Sequence, residues 1–175
     1  FDPDLDPLTF TWTDELSNVV ATGATPTINV ELGAHTFTLT VDDGNGGTDS
    51  DTVEIIVQDT TPPDIESVVA SPATLWPPNH KMIPVTLDVS VTDVCDPNPA
   101  CLIVDVASNE PVDGIGDGNS SPDWTITGPF TLNLRAERSG TGDGRVYTVT
   151  VQCTDASGNA SSAPVEIPVA HDQGN

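Results

Sequence analysis

Apolar and polar residues alternate in two long stretches of the chain, residues 35–59 and 147–171. The first stretch lies on the second without a gap when it is moved forward by 112 positions, and nine residues then coincide in type. In each copy, two runs with the two-residue period of a half-buried strand flank a turn made of Asp, Gly, Asn and Ser. The pattern predicts that each copy is a β-hairpin closing a module, and that the chain contains two β-modules in tandem.

The same alternation predicts the remaining strands. The first module is expected to have strands around Leu8–Trp12 and at Thr25–Leu32, before its hairpin. Four further strands are predicted in the second module, at residues 65–71, 85–91, 101–108 and 130–136. Glycine and proline total 30 residues, and no window has helical periodicity. The predicted fold class is therefore all-β, with two tandem immunoglobulin-like β-sandwich modules of which the first lacks its N-terminal strands.

The predicted boundaries follow from this pattern: an incomplete module at 1–58, a rigid proline linker at 59–64, a complete module at 65–172 and a tail at 173–175. Sandwiches of this class need about seven strands in about 100 residues, which the first module does not contain. Its missing strands are expected either from upstream sequence or from another molecule by strand donation, and the sequence leaves both alternatives open.

The charge of the chain excludes two classes of partner. Only 4 Lys and Arg stand against 27 Asp and Glu, which gives a net charge of -23. Nucleic acids and anionic membranes both require basic surface, and no apolar run approaches the roughly 18 residues of a membrane span, so neither nucleic-acid binding nor direct membrane insertion is expected. Aspartate accounts for 20 of the acids, and aspartate is favoured both in turns and as a ligand for calcium.

Several motifs resemble known bacterial repeats. The first module is similar to PKD-type immunoglobulin-like repeats through DPDLDPLTFTW (2–12), HTFTLTVDDGNGGTDSDTV (35–53) and DTTPP (59–63). The second resembles HYR-like repeats through WPPNHKM (76–82), VTDVCDPNPAC (91–101), SNEPVDG (108–114), LRAER (134–138), GDGRVYTVTV (142–151) and CTDASGN (153–159). The resemblance implies stalk, spacer or adhesive modules of large cell-surface or secreted proteins, located outside the cell, with no catalytic residues.

Loop positions suggest where calcium could bind. In an immunoglobulin-like sandwich the B–C and F–G loops share one end, where strand A also begins, so six residues are expected to converge at the joint between the modules: Asp59, Asp64, Asp93, Asp96, Asp155 and Asn159. The equivalent loops of the first module supply a second candidate set: Asp2, Asp4, Asp6, Asp42, Asp43 and Asn45. Calcium takes six to eight oxygen ligands, mostly carboxylate and carbonyl. The alternative is that these side chains only hold turns through hydrogen bonds to the backbone.

The three cysteines predict one disulfide and one further thiol, in an oxidising compartment. Cys95 and Cys153 share an inward parity and could join the two sheets, whereas Cys101 begins a strand next to that of Cys153. The family resemblance favours Cys101–Cys153, with Cys95 as the alternative partner.

Catalysis is not expected. The three histidines, His35, His80 and His171, have no nucleophile motif beside them. The few arginines have many acidic neighbours, and Arg135 and Arg138 are expected to form structural salt bridges with Glu110 and Glu137.

The predicted function is a rigid stalk or adhesive module, stiffened by calcium, of an extracellular or surface protein. Two alternatives are a subunit of a fibre assembled by strand donation and an accessory substrate-binding module of a secreted hydrolase. The expected partners are neighbouring modules, copies of the chain itself, or a cell-surface or polysaccharide ligand.

Overall fold

The structure is a computed structural model that describes residues 6–112, 121–140 and 143–171. Every regular element in these residues is a β-strand, so the predicted all-β class is confirmed. Contacts between residues divide the chain into two units, Phe1–Asp59 and Thr60–Asn175, and the division falls inside the proline-rich segment. No helix in the described part of the chain is long and apolar enough to cross a membrane.

The first unit contains one antiparallel sheet among its described residues. Its strands are β1 (Thr9–Thr13), β2 (Val19–Thr22), β3 (Gly33–Asp42) and β4 (Thr48–Val57), in the order β2-β1-β3-β4. The strand predicted around Leu8–Trp12 and the hairpin are present, whereas β2 was not predicted. No second sheet packs on this sheet within residues 6–59, and β4 is exposed along nearly its whole length.

The strand predicted at Thr25–Leu32 was wrong. This segment follows β2 as irregular backbone, and residues 24–32 make no backbone-to-backbone hydrogen bond within the described chain. Its alternation is nevertheless real, because Pro26, Ile28 and Val30 are half-buried while the residues between them are exposed. A strand needs a neighbour that completes its ladder of hydrogen bonds, and the described part of this unit offers none to the segment.

The second unit is a two-sheet sandwich. Its strands are β5 (Asp64–Ser71), β6 (Met82–Thr92), β7 (Ala100–Ser108), β8 (Trp124–Gly128), β9 (Thr131–Arg135), β10 (Val146–Thr154) and β11 (Ala160–Pro168). One sheet has the order β5-β6-β9-β8 and the other the order β11-β10-β7. All strands predicted for this module are present, and β8 is an addition to them.

The core of the second unit lies between its two sheets. Inward-facing residues of β10 and β11, among them Val149, Val151 and Ile167, are fully buried. They form one hydrophobic cluster with Leu87 of β6 and Leu134 of β9, which come from the opposite sheet. Alternate residues along each strand therefore reach the same core, as the two-residue period predicts.

The duplicated hairpin keeps its geometry in detail. The pairs Phe37–Val53 and Val149–Val165 occupy the same register in the two copies. Each turn begins with an aspartate, Asp43 or Asp155, whose Oδ1 accepts the amide of the residue four positions later at 2.9 Å and 2.8 Å respectively. Gly46 and Gly158 hold positive φ angles of 106° and 91° at equivalent places, a conformation that favours glycine. The repeated Asp and Gly therefore encode one turn twice.

Candidate functional site

Three segments meet at one end of the second unit. Asp93 and Asp96 lie in the loop after β6, and Asp155 lies in the turn between β10 and β11. The backbone amide of Ala156 donates to Asp96 Oδ2 at 2.9 Å, which ties the two loops together. Asp64 begins β5 beside Thr92 at the end of β6, so it lies at the same end.

The central pair of this acidic end is Asp93 and Asp155. A carboxylate oxygen of Asp93 lies within 4.8 Å of one of Asp155. Asp93 Oδ1 accepts the amides of Cys95 at 2.9 Å and Asp96 at 2.7 Å. Asp93 Oδ2 is buried and has no hydrogen-bond partner among the described residues. The pair therefore places one unsatisfied, buried carboxylate oxygen close to a second carboxylate.

Asp155 is held in its ionised form. Desolvation acts to raise its pKa, but the side chain and amide of Asn159, with the amides of Ser157 and Gly158, lower the pKa below its ordinary value. Two carboxylates about 5 Å apart repel each other by roughly 3 kcal/mol at an effective dielectric constant of about 20. A buried, unpartnered oxygen beside an ionised carboxylate is an arrangement that a hard cation would stabilise.

A shallow groove gives access to this end of the unit. It has a volume of about 340 Å³ and is lined by Thr61, Pro62, Asp64, Thr92, Asp93 and Val94.

The other predicted ligands have hydrogen-bond partners of their own. Asp96 uses both carboxylate oxygens, because its Oδ1 accepts the amide of Asn98 at 2.9 Å and its Oδ2 accepts that of Ala156. Asn159 Nδ2 donates to Asp155 Oδ2 at 2.8 Å. Asp59 ends the first unit as a half-buried residue two positions after β4.

The acidic residues of the first unit hold its turns. Asp43 Oδ1 accepts the amides of Asn45 and Gly47, and these hydrogen bonds lower the pKa of Asp43. Asp42 Oδ1 accepts the amide of Gly44 at 2.6 Å, and Asn45 Nδ2 donates to Asp6 Oδ2 at 2.8 Å. Among the described residues, no three acids of this unit bring carboxylate oxygens within 4.8 Å of one another. Asp2 and Asp4, also predicted here, lie outside the described residues.

The disulfide joins neighbouring strands of one sheet. Cys101 of β7 and Cys153 of β10 are directly opposite in the antiparallel register, and their sulfurs are 2.01 Å apart. Cys95 is exposed in the loop after β6 and is not part of this bond. The structure therefore contains the pairing that the family resemblance favoured, and the inter-sheet bond between Cys95 and Cys153 is not formed.

Sequence reasoning missed a buried cluster of charges at the opposite end of β10. Arg145, which precedes β10, is fully buried and binds the carboxylate of Asp123, itself 1% exposed. Its Nη1 lies 3.6 Å from Oε1 of the buried Glu137, and its Nε lies 3.6 Å from Glu110 Oε2. The guanidinium also stands 5.6 Å from the ring centroid of Tyr147. The alternation along β10 could have indicated this burial, because Arg145 lies two positions before Tyr147, the first of the inward-facing residues that occupy every second position of the strand.

This charge cluster changes the titration of its members. Burial raises the pKa of Glu137, and the neighbouring Asp123 raises it further, while the hydrogen bond to His80 and the charge of Arg145 act in the opposite direction. Burial also raises the pKa of Tyr147 to about 12. Desolvation would lower the pKa of Arg145, but its bonds to Asp123 and Tyr147 raise it, so the guanidinium stays charged.

The cluster anchors two irregular segments. Arg145 Nη2 donates to the carbonyl of Pro111 at 3.1 Å, and Arg135 Nη1 donates to that of His80 at 2.9 Å. His80 Nδ1 lies 3.3 Å from Glu137 Oε2, which binds the proline-rich corner to the end of β9. The expected pairing of Arg135 with Glu137 exists at 3.9 Å, whereas Glu110 pairs with Arg145. This geometry is that of a structural anchor.

Comparison with known proteins gives one family match, which lies in the first unit. Residues 1–56 match the family model described as Bacterial Ig domain. The resemblance to bacterial immunoglobulin-like repeats is therefore confirmed, on a match that spans the hairpin and the strands before it. No curated protein matches the chain.

Two solved structures are similar at low identity. Fibronectin(III)-like modules of Clostridium thermocellum CbhA align with 14% identity and a TM-score of 0.34, over 100% of this chain and 87% of theirs. The EC1-2 segment of human protocadherin-24 aligns with 16% identity and a TM-score of 0.37, over 99% of this chain and 85% of its own.

Proposed function

We propose that this chain is a non-catalytic structural module of a bacterial extracellular or surface protein, a rigid stalk or adhesive segment whose second unit binds calcium. The observation that carries the calcium part is the pair formed by Asp93 and Asp155, with one buried and unsatisfied carboxylate oxygen. The family match of the first unit and the disulfide of the second support a role outside the cell.

The residues present fit a hard cation. Asp93 Oδ2 and Asp155 would supply carboxylate oxygens, and the groove that contains Asp64 leaves room for water ligands. Asp59, which the sequence predicts as a further ligand, remains part of this proposal. Bound calcium would neutralise the repulsion between Asp93 and Asp155 and would fix the loops after β6 and β10.

Thermal unfolding with and without calcium tests the site. A ligand that binds only the folded state at about 100 times its Kd adds roughly 2.7 kcal/mol of stability, so calcium should raise the Tm of the second unit by several degrees and EDTA should reverse the rise. The Asp93→Asn variant should lose this response. Asp105→Asn is the matched control, because Asp105 is exposed in the middle of β7 and should leave the response intact. Coincident melting curves in calcium and in EDTA would refute the proposal.

A stalk also differs from the two alternative functions in its behaviour in solution. A stalk module should remain monodisperse, which light scattering and electron microscopy can measure. Regular filaments of the purified chain would instead support fibre assembly. Retention on insoluble chitin or cellulose would support an accessory module of a hydrolase.

A further inference from the structure

The first unit has an apolar face, formed by Trp12, Phe37, Leu39, Val53 and Ile55, that is open along β4: Phe37 is only 6% exposed and Trp12 and Leu39 are half-buried, whereas Val53 and Ile55 are exposed. These side chains share one side of the sheet, because Trp12 pairs with Leu39 and Phe37 pairs with Val53 directly across the strands. Val53 and Ile55 are 42% and 38% exposed, and β4 is exposed along nearly its whole length on both sides. A strand that is solvated on both faces leaves its apolar side chains without the burial that stabilises a sheet.

The second unit shows what covers the equivalent face. At a shift of 112 positions, Phe37, Leu39 and Ile55 correspond to Val149, Val151 and Ile167, all of which have no exposed surface. They are covered by β6 and β9 of the opposite sheet, whose residues form one cluster with them. The duplicated hairpin is therefore covered by additional strands in one copy, and in the other its second strand is left exposed within the described residues.

An apolar groove runs along this open face. It has a volume of about 300 Å³ and lies between the sheet and the irregular segment after β2, where Pro26 and Ile28 of that segment face Trp12, Phe37, Val53 and Ile55 of the sheet across the groove. This volume is at the lower end of the range for ligand pockets, and it suits a few apolar side chains. Residues 24–32 have no backbone hydrogen-bond partner among the described residues, so their unpaired backbone groups can bind an added strand.

The charge of the first unit indicates which kind of polypeptide can bind to this face. Residues 1–59 contain 12 acids and no Lys or Arg. Asp49 and Asp51 share the parity of Val53 and Ile55, so they extend the open face, where the second unit has Ser161 and Ala163. A second copy of the chain would bring its own net charge of -23 to this acidic face, and like charges across an interface are unfavourable.

We propose that the open face of the first unit binds one extended strand of a second, basic polypeptide. The strand pairs with the backbone of residues 24–32, places alternate apolar side chains in the groove, and carries a Lys or Arg that faces Asp49 and Asp51. Residues 24–32 then become the strand that their alternation encodes. This interaction goes beyond the stalk role and does not depend on calcium, because its residues all lie in the first unit and the calcium response is read from the second.

Peptide binding to the complete chain tests the proposal. The probe is a labelled peptide with the sequence of β6, MIPVTLDVSVT, which covers this face in the second unit, followed by two lysines. The control peptide ends in two glutamates instead. Fluorescence anisotropy should show that the lysine peptide binds about fivefold more tightly or better, and that salt reduces the difference, as exposed ion pairs do. Equal affinity of the two peptides, or binding of neither, would overturn the proposal.

Paired variants separate the open face from the opposite one. Ile55→Asp places a charge on the groove and should abolish binding, whereas Ile56→Asp changes the adjacent, 60% exposed residue on the other face and should leave binding unchanged. The double variant Asp49→Asn/Asp51→Asn keeps the apolar groove and should reduce the preference for lysine to less than about twofold. Dimerisation of the chain without peptide would identify a second copy as the occupant and would also overturn the proposal.

Discussion

The two hairpins of this chain have the same register and the same turn, yet they differ in what surrounds them. Ile167 of the second copy has no exposed surface, while the equivalent Ile55 of the first is 38% exposed; Phe37 and Val149, the equivalent pair on the neighbouring strand, are both buried. The difference does not come from the hairpins, whose apolar positions coincide. The difference comes from the opposite sheet: in the second unit, β6 and β9 pack on the hairpin.

This comparison separates two levels of information in the sequence. Alternation and turn residues specify a hairpin locally, so both copies form it. Burial is a property of the whole sandwich, and it also allows the second unit to keep Arg145, Asp123 and Glu137 inside, where the charges stabilise one another. The second unit should therefore be sensitive to single substitutions at positions where the first unit is tolerant.

The largest effect should come from Arg145. Replacing it in the Arg145→Met variant leaves Asp123 and Glu137 as buried carboxylates without their counter-charge, and breaking such a pair costs about 3–5 kcal/mol. Chemical denaturation followed through Trp124, which contacts Tyr147 edge-on, should show this loss in the second unit. The first unit, followed by hydrogen exchange of β3 and β4, should not change.

Two controls show whether the loss comes from the unpaired charge. Lys81→Met removes an exposed positive charge beside β6, and it should cost less than about 0.5 kcal/mol. Adding Asp123→Asn to Arg145→Met should recover part of the lost stability, because one of the unpaired carboxylates is then neutral. If the single and double variants were equally unstable, the buried charge would not be the cause.

A smaller effect is expected from the equivalent residues Ile167 and Ile55. The Ile167→Ala variant creates a cavity in the core between the two sheets of the second unit and should reduce its free energy of unfolding by about 3 kcal/mol. The Ile55→Ala variant removes a side chain that is already 38% exposed, and it should cost less than about 1 kcal/mol. Urea denaturation of the two variants measures the difference. Equal losses would mean that the open face of the first unit is covered.

The sequence was sufficient for the regular parts of the fold. Both hairpins, the strand around Phe10 and the long strands of the second unit were predicted, because their alternation is unbroken. Residues 25–32 alternate equally well but form no strand, since the pattern contains only parity and says nothing about a pairing partner. The short strand β8, Trp124–Gly128, was missed although Trp124 and Ile126 alternate with threonines, because two alternating positions after a loop rich in Gly and Asp are too short a pattern to be distinguished from that loop.

The candidate site was predictable only in part. The sandwich topology was enough to place Asp93, Asp96 and Asp155 at one end of the second unit, where the structure has them. It could not show that Asp96 binds backbone amides with both oxygens while Asp93 keeps one oxygen unsatisfied. Which acids hold turns and which remain available depends on hydrogen-bond directions, and these are set only when the loops are closed.

The smallest predicted effect is a difference in pH dependence between the units. Glu137 has its pKa raised by burial and by Asp123, against the effects of His80 and Arg145. Its contribution to stability is therefore complete below the ordinary pKa of 4.5 and is lost as the pH rises through the raised pKa. The second unit should lose about 1.4 kcal/mol for each unit by which the folded pKa exceeds the unfolded one.

The first unit should respond in the opposite direction and in a different range. The pKa of Asp43 is lowered by the amides of Asn45 and Gly47, so its contribution to stability is present above the ordinary value of 3.8 and disappears as the pH falls.

The Glu137→Gln variant isolates the effect of Glu137 in the second unit. Between pH 4.5 and 7, the stability of the wild type relative to this variant, measured by denaturation, should decrease as the pH rises. If this difference in stability stayed constant over that range, Glu137 would be ionised throughout. Asp123, Glu137 and Glu110 would then surround Arg145 as three carboxylates, none of them protonated.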